Sequence, residues 1–184
     1  DKSSDNLVAT HGEVQGNSNL YYQFFTGSRG SELTSENTKI LSLLDPSSPE
    51  YRGNLKTDET ARYGYYKIDS TSGSANTGII AEDEPQNMVT FFENELILAE
   101  AKARQGSMAD GLPHLNNVRA WLNSGGNLND NHNSGGFKYE AYVSSDFDSG
   151  GIENTDGIDS KSAFLREVIE ERYVSGFGMH IPFD

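Results

Sequence analysis

The stretch Thr90–Ala120, TFFENELILAEAKARQGSMADGLPHLNNVRA, decides how the chain is read. Val89, Phe92, Leu96, Ala99 and Ala103 recur at three- and four-residue steps, which puts them on one side of a helix and leaves Glu93, Glu100 and Arg104 for water or a polar partner. Thr90 followed by Glu93 fits a capping box and marks the helix start. Gln105-Gly106 ends it, on the expectation that the glycine takes a left-handed conformation, and Ser107 with Asp110 offers a second box at once.

The second helix sets Leu112, Leu115, Val118, Trp121 and Leu122 on its inner side, and so short a turn makes the two helices antiparallel. Ala99 and Gly111 fall where a tetratricopeptide hairpin places small residues so that its backbones approach closely. Pro113 costs about 3 kcal/mol inside a helix, which predicts a kink or a helix that begins near Leu112. A single hairpin cannot bury both faces, so neighbours are required.

Outward from the hairpin, residues 1–80 are loop-rich. Leu20–Phe25 is an aromatic run, strand or helical turn, and Ile40–Leu44 suits a short helix stopped by Asp45-Pro46. Arg62–Ile68 reads as a strand with aromatic faces, and Ser70–Thr77 as a turn. Residues 124–159 form a Gly, Asn, Ser and Asp-rich insertion, longer than the ~15 residues a compact domain normally leaves unstructured, with strand-like alternation over Phe137–Val143. Residues 160–184 supply a third helix, capped by Asp159 or Ser160 with an apolar stripe of Leu165, Val168, Ile169 and Tyr173, and then an extended tail. The expected fold is mainly α, tetratricopeptide-like helical hairpins with long loops and a few short strands, in a single domain over 1–184.

The 184 residues are 34% hydrophobic with 19 glycines, and carry a net charge of −14. That charge repels phosphate backbones and anionic membranes, so nucleic acid is excluded as a partner. No run approaches the ~20 apolar residues a bilayer span needs, and no signal peptide opens the chain. Cysteine is absent, which removes disulfides and thiolate metal sites. No Gly-x-Ser-x-Gly elbow, P-loop or dinucleotide glycine pattern occurs, and the expectation is of a protein that is not an enzyme and has no cofactor. Asp146, Asp148, Glu153, Asp156 and Asp159 are hard-oxygen donors, but Gly150 and Gly157 fall at two ligand positions of the calcium-loop template; His11, His114, His132 and His180 lack zinc spacing. No metal is therefore expected.

Three patterns occur in order: Ala99-Glu100-Ala101 with Arg104 and Gly106; Leu115-Asn116-Asn117-Val118-Arg119; and Glu171-Arg172 with Phe177-Gly178 and a closing Phe183-Asp184. Together they resemble the carboxy-terminal portion of the SusD/RagB family of outer-membrane nutrient-binding lipoproteins, over Met88–Asn123 and Ser160–Asp184. Leu44-Asp45-Pro46 suits that family's Asp-Pro-Arg signature, with Ser47 in place of the arginine. The resemblance implies a fragment of a larger SusD-like protein and a surface-exposed place at the outer membrane of a Bacteroidetes-type bacterium. The lipid anchor it implies is absent from this chain. It further implies capture of an oligosaccharide or other nutrient and delivery to a TonB-dependent transporter. A tetratricopeptide-like protein-interaction scaffold is the alternative, and a secreted hydrolase domain stands behind it.

Sugar recognition needs a flat aromatic face flanked by hydrogen-bonding groups. Tyr63, Tyr65, Tyr66, Tyr139, Tyr142 and Trp121 are the candidates, with core packing the competing role for each and above all for Trp121, at helical spacing from Val118 and Leu122. Glu100, Arg119, Glu171 and Arg172 are expected to form a structural charge network, one of the glutamates accepting a bidentate bond from one of the arginines.

Overall fold

The computed structural model describes residues 3–13, 16–26, 33–70 and 75–179. The turn at 71–74, His180, the tail over 180–184 and the closing Phe183-Asp184 lie outside the described residues. Among the described residues the chain is mainly helical. Six α-helices run in order: α1 (Leu20–Thr26), α2 (Lys39–Leu44), α3 (Thr60–Tyr66), α4 (Phe91–Gln105), α5 (Met108–Asn123) and α6 (Ser160–Ser175). One small antiparallel sheet pairs β1 (Leu7–Ala9) with β2 (Gln86–Val89), Leu7 opposite Val89.

The central pair forms as its pattern requires. Thr90 Oγ1 accepts from the Glu93 N–H at 3.2 Å, but the Glu93 carboxylate accepts from Arg172 and does not return to the Thr90 N–H, so that box forms in half; at α5 the Asp110 carboxylate accepts from the Ser107 N–H at 2.9 Å. Phe92, Leu96, Ala99 and Ala103 are fully buried against Leu115 and Val118; Val89 instead lies in β2, 65% exposed. Gly106 ends α4 with φ −126°, not left-handed; it is small because an added Cβ would stand 2.7 Å from the Asp110 carboxylate that caps α5. Helix α5 runs unbroken through Pro113 from Met108. The carbonyl that Pro113 leaves without a helical donor is that of Ala109, an exposed residue, so water can satisfy it.

At Gly111 a Cβ would lie 2.5 Å from the Ala99 carbonyl oxygen and about as near as 3.0 Å to the Phe164 ring. Replacing Gly111 with alanine should therefore lower stability by about 1–3 kcal/mol in denaturant melts despite alanine's better helix propensity. A gain in stability would mean that α4, α5 and α6 have slack at this crossing.

Three apolar clusters result. The largest joins α4, α5 and α6 to Tyr139, Tyr142 and Phe147 of the insertion. A second gathers Ile40, Leu41, Leu43 and Leu44 of α2 with Tyr65 and Tyr66 of α3 and Val174 of α6; a third holds Phe25, Ile68 and Ile80. The insertion is thus built into the core. Its strand-like reading fails because Tyr139 and Tyr142, three apart, point inward while Ala141 and Val143 are exposed. Only an isolated bridge from Thr57 to Tyr139 remains.

Two further expectations are overturned. Residues 60–66 are helix rather than strand, since Arg62, Tyr65 and Tyr66 are buried at the i, i+3, i+4 spacing of one helical face. On α6 the expected apolar stripe is only partly the buried face: Val168 is fully buried, but Ile169 is 47% and Tyr173 36% exposed, and beside Ala163, Phe164 and Val174 the buried face carries Glu167, Glu171 and Ser175 at i, i+4, i+8. Helix α6 turns acids inward because guanidinium groups are there to meet them.

Candidate functional site

Those guanidiniums belong to Arg52, in the loop after α2, and Arg62 of α3. Arg62 forks onto Glu59 through Nε and Nη2 at 2.7 and 2.6 Å, and onto Glu171 through Nη1 and Nη2 at 2.7 and 3.0 Å. Arg52 donates to Glu59, Glu167, Glu170 and Glu171 at 2.6–3.0 Å. Tyr139 adds its hydroxyl to Glu59 at 2.8 Å. Side chains of Arg52, Arg62, Glu59, Glu167 and Glu171 are all at most 5% exposed. Burial alone would depress both arginine pKa values, but the surrounding carboxylates outweigh it and hold both well above normal. Glu171 is pushed the other way from burial, below the usual range, by Arg62 and Arg52. This polar layer fixes the short α3 to the longer α6.

The expected charge network is accordingly redistributed. Glu171 pairs with Arg52 and Arg62, not with Arg119 or Arg172. Arg119 donates to the Glu140 and Lys56 carbonyls at 2.7 and 3.0 Å and to Thr57 Oγ1 at 2.9 Å, with its guanidinium carbon 3.6 Å over the Tyr142 ring. Arg172 donates to Glu93 at 2.7 and 2.9 Å and reaches Glu100 only at 4.0 Å, while Glu100 accepts from Arg104 at 2.7 Å. The acids weighed for calcium are each engaged: Asp146 by Lys56, Asp148 by Ser160, Glu153 by Tyr142 and Asn54, Asp156 by Arg166, and Asp159 as the cap of α6. Among the described residues no three His, Asp or Glu side chains gather to hold a metal.

The six aromatic candidates separate into two groups. Tyr65, Tyr66, Tyr139 and Tyr142 are at most 4% exposed, and Tyr65 donates to Glu84 at 2.6 Å as Tyr142 does to Glu153. Burial first, then the adjacent carboxylates, push the Tyr65 and Tyr142 pKa values far up. None of these four presents a face to a ligand. Trp121 is half-buried, stacked on Phe92 at 4.9 Å and edge-on to Phe91. Tyr63 remains: a quarter-turn or so round α3 from Arg62, half-buried against the α2 cluster, with its remaining surface in the wall of an open cleft of about 280 Å³. Leu41 floors that cleft, and Asn37, Ser42, Asp45, Ser48 and Lys67 ring it with hydrogen-bonding groups. Asn37 stands at the rim with φ +58°, a left-handed backbone that asparagine tolerates better than most residues.

The arginines of the buried layer left little trace in the sequence: Arg52 lies in an aperiodic loop, more than a hundred residues from its partners on α6. The readable signals were the i, i+3 pair Glu59/Arg62 and the i, i+4 step from Glu167 to Glu171. Comparison of the chain with protein-family models, with curated proteins and with solved structures finds no match.

Proposed function

We propose that this chain is a non-catalytic glycan- or nutrient-binding protein that captures oligosaccharide in the Tyr63 cleft. Its α4–α5 hairpin, in the same reading, is of the tetratricopeptide kind. The observation that carries the binding role is the place of Tyr63: a half-buried aromatic side chain that lines an open cleft, on a helix clamped to α6, amid groups that suit hydroxyls. A rigid element holding the aromatic ring keeps the loss of side-chain freedom on binding small. The ordered motifs Ala99–Gly106, Leu115–Arg119 and Glu171–Arg172 support the SusD/RagB likeness. With it come a surface position at the outer membrane and delivery to a TonB-dependent transporter.

The second reading, a tetratricopeptide-like scaffold for another protein's peptide, draws on the close Ala99–Gly111 approach. Affinity electrophoresis through gels containing a polysaccharide panel separates the two. Retardation by a glycan, lost in a Tyr63→Ala protein that still melts cooperatively though at a somewhat lower temperature for the packing it gives up against α2, is the expected result. Equal mobility of both proteins in every gel rules out the Tyr63 cleft as a glycan site, and release of reducing sugar would make the protein a hydrolase instead.

A further inference from the structure

Helix α3 has a second cleft on its other flank. About 310 Å³ lies between the first turn of α3 and the loop at 131–137, with Phe137 offering the aromatic face and Asp58, Thr60, Asn131 and Ser134 the polar groups. At 100° per residue, Tyr63, Lys67, Thr60, Gly64 and Ala61 follow one another around a continuous outer arc of α3, so the two clefts adjoin across that arc. Gly64 lies in the middle of it. A Cβ there would stand 3.3 Å from His132 Nδ1, so the missing side chain is what lets the loop close the far cleft against the helix. His132 is itself held, with Nε2 3.2 Å from Thr77 Oγ1 and its ring edge-on to Tyr65.

We infer that the Phe137 cleft is a second carbohydrate subsite, and that the ligand is a neutral oligosaccharide lying across α3 with sugars in both clefts. This rests on the proposed binding function. Each cleft is near the floor of the ~300–1,000 Å³ range of small-molecule sites, enough for a short saccharide segment but not for a longer chain. Each repeats the same plan of one aromatic side chain among polar groups. Neutrality follows from charge: Asp45 and Glu36 outnumber Lys67 in the first cleft, Asp58 is the charged group of the second, and the whole chain is at −14. Uronate or sulfate groups would be repelled.

Calorimetric titration with a di- to hexasaccharide series cut from the neutral polysaccharide that retards the protein tests the inference. Oligomers of four or more sugars should bind at least about tenfold more tightly than the disaccharide. Ser134→Leu, an exposed position filled with a side chain that neither stacks nor hydrogen-bonds, should abolish that advantage while leaving disaccharide affinity intact; Asn131→Ala should reduce it. Equal affinity for short and long oligomers, or an unchanged advantage in a folded Ser134→Leu protein, overturns the second subsite and leaves the Tyr63 site standing. Loss of all binding in Tyr63→Ala together with no length dependence has the same meaning. Binding only to acidic glycans overturns neutrality, and no binding to any glycan removes both proposals.

Discussion

Replacing Arg62 with methionine will lower the unfolding free energy by about 3–5 kcal/mol, the scale expected when one partner of a buried ion network is removed. The cost does not come from losing Coulomb attraction alone. Glu59 and Glu171 are both fully enclosed, and each would lose a forked pair of charge-assisted hydrogen bonds from Arg62. Arg52 cannot cover the deficit, because its Nε, Nη1 and Nη2 already serve four carboxylates. The methylene stem of methionine keeps most of the packing volume, so the measurement reports the charge and not a cavity. Arg172→Met is the internal contrast: that guanidinium is 34% exposed and faces Glu93, and its loss should cost no more than about 1 kcal/mol. Urea melts of both variants decide the matter. A penalty below about 1 kcal/mol for Arg62→Met would mean that water enters the layer and solvates the two acids.

The same substitution reaches the proposed ligand site through one helix. Arg62 and Tyr63 are neighbours in sequence with opposite duties, one clamped to α6 and the other open to the cleft. A seven-residue helix is too short to persist by its own propensity, so the orientation of Tyr63 depends on contacts made by the inner face of α3. Loss of the clamp should weaken any ligand held by Tyr63 even where the protein stays folded.

How much of this was legible from the residues alone depends on how local the cause is. The α4–α5 hairpin was readable to where its helices start, because Thr90 and Ser107/Asp110 act within one turn and Phe92, Leu96, Leu115 and Val118 repeat at the helical period, whereas the Gly106 conformation and the partner of Glu93 depend on α5 and α6. Helix α3 was not, because tyrosine-rich runs favour strands when judged by propensity, while the decisive fact, Arg62 finding acids on α6, lies 109 positions away. Helix α6 was located correctly but only part of its inward face was read: Val168 packs in the core as expected, while Ile169 and Tyr173 turn outward and Glu167 and Glu171 take inward places. Of the aromatic candidates, composition could not tell Tyr63 from Tyr65 and Tyr66. Burial separates them, and burial is set by where α2 and Phe177 pack.

Stability should fall as pH rises from about 5 to about 8, and Glu167→Gln should remove most of that fall. Glu167 is buried among Arg52 at 2.9 Å, Arg119 at 3.9 Å and the acids Glu153 and Glu171. Burial raises its pKa, the two arginines oppose this, the neighbouring acids reinforce it, and the result is a carboxyl pushed from 4.5 up to about 8. The folded protein therefore keeps a proton on Glu167 that the unfolded chain releases near its ordinary value. The resulting stabilisation is complete below that ordinary value and is lost as pH rises through about 8, with a slope of at most about 1.4 kcal/mol per pH unit. Glu171 has the opposite sign: its depressed pKa contributes stability above the unfolded value, and that contribution disappears only in acid. The two effects occupy different windows; burial also raises the Glu153 and Glu84 carboxyls, which add to the decline, and Glu167, raised furthest, carries the part that extends to about 8. Glutamine is its uncharged isostere and keeps an oxygen for the Arg52 N–H, which leaves the packing and that hydrogen bond in place while removing the proton equilibrium. Denaturant melts across this range should show a sloping profile for the native protein and a distinctly shallower one for Glu167→Gln, with Glu84 and Glu153 supplying what slope remains. Parallel profiles would mean that Glu167 is ionised in the folded state and that Arg52 and Arg119 outweigh its burial.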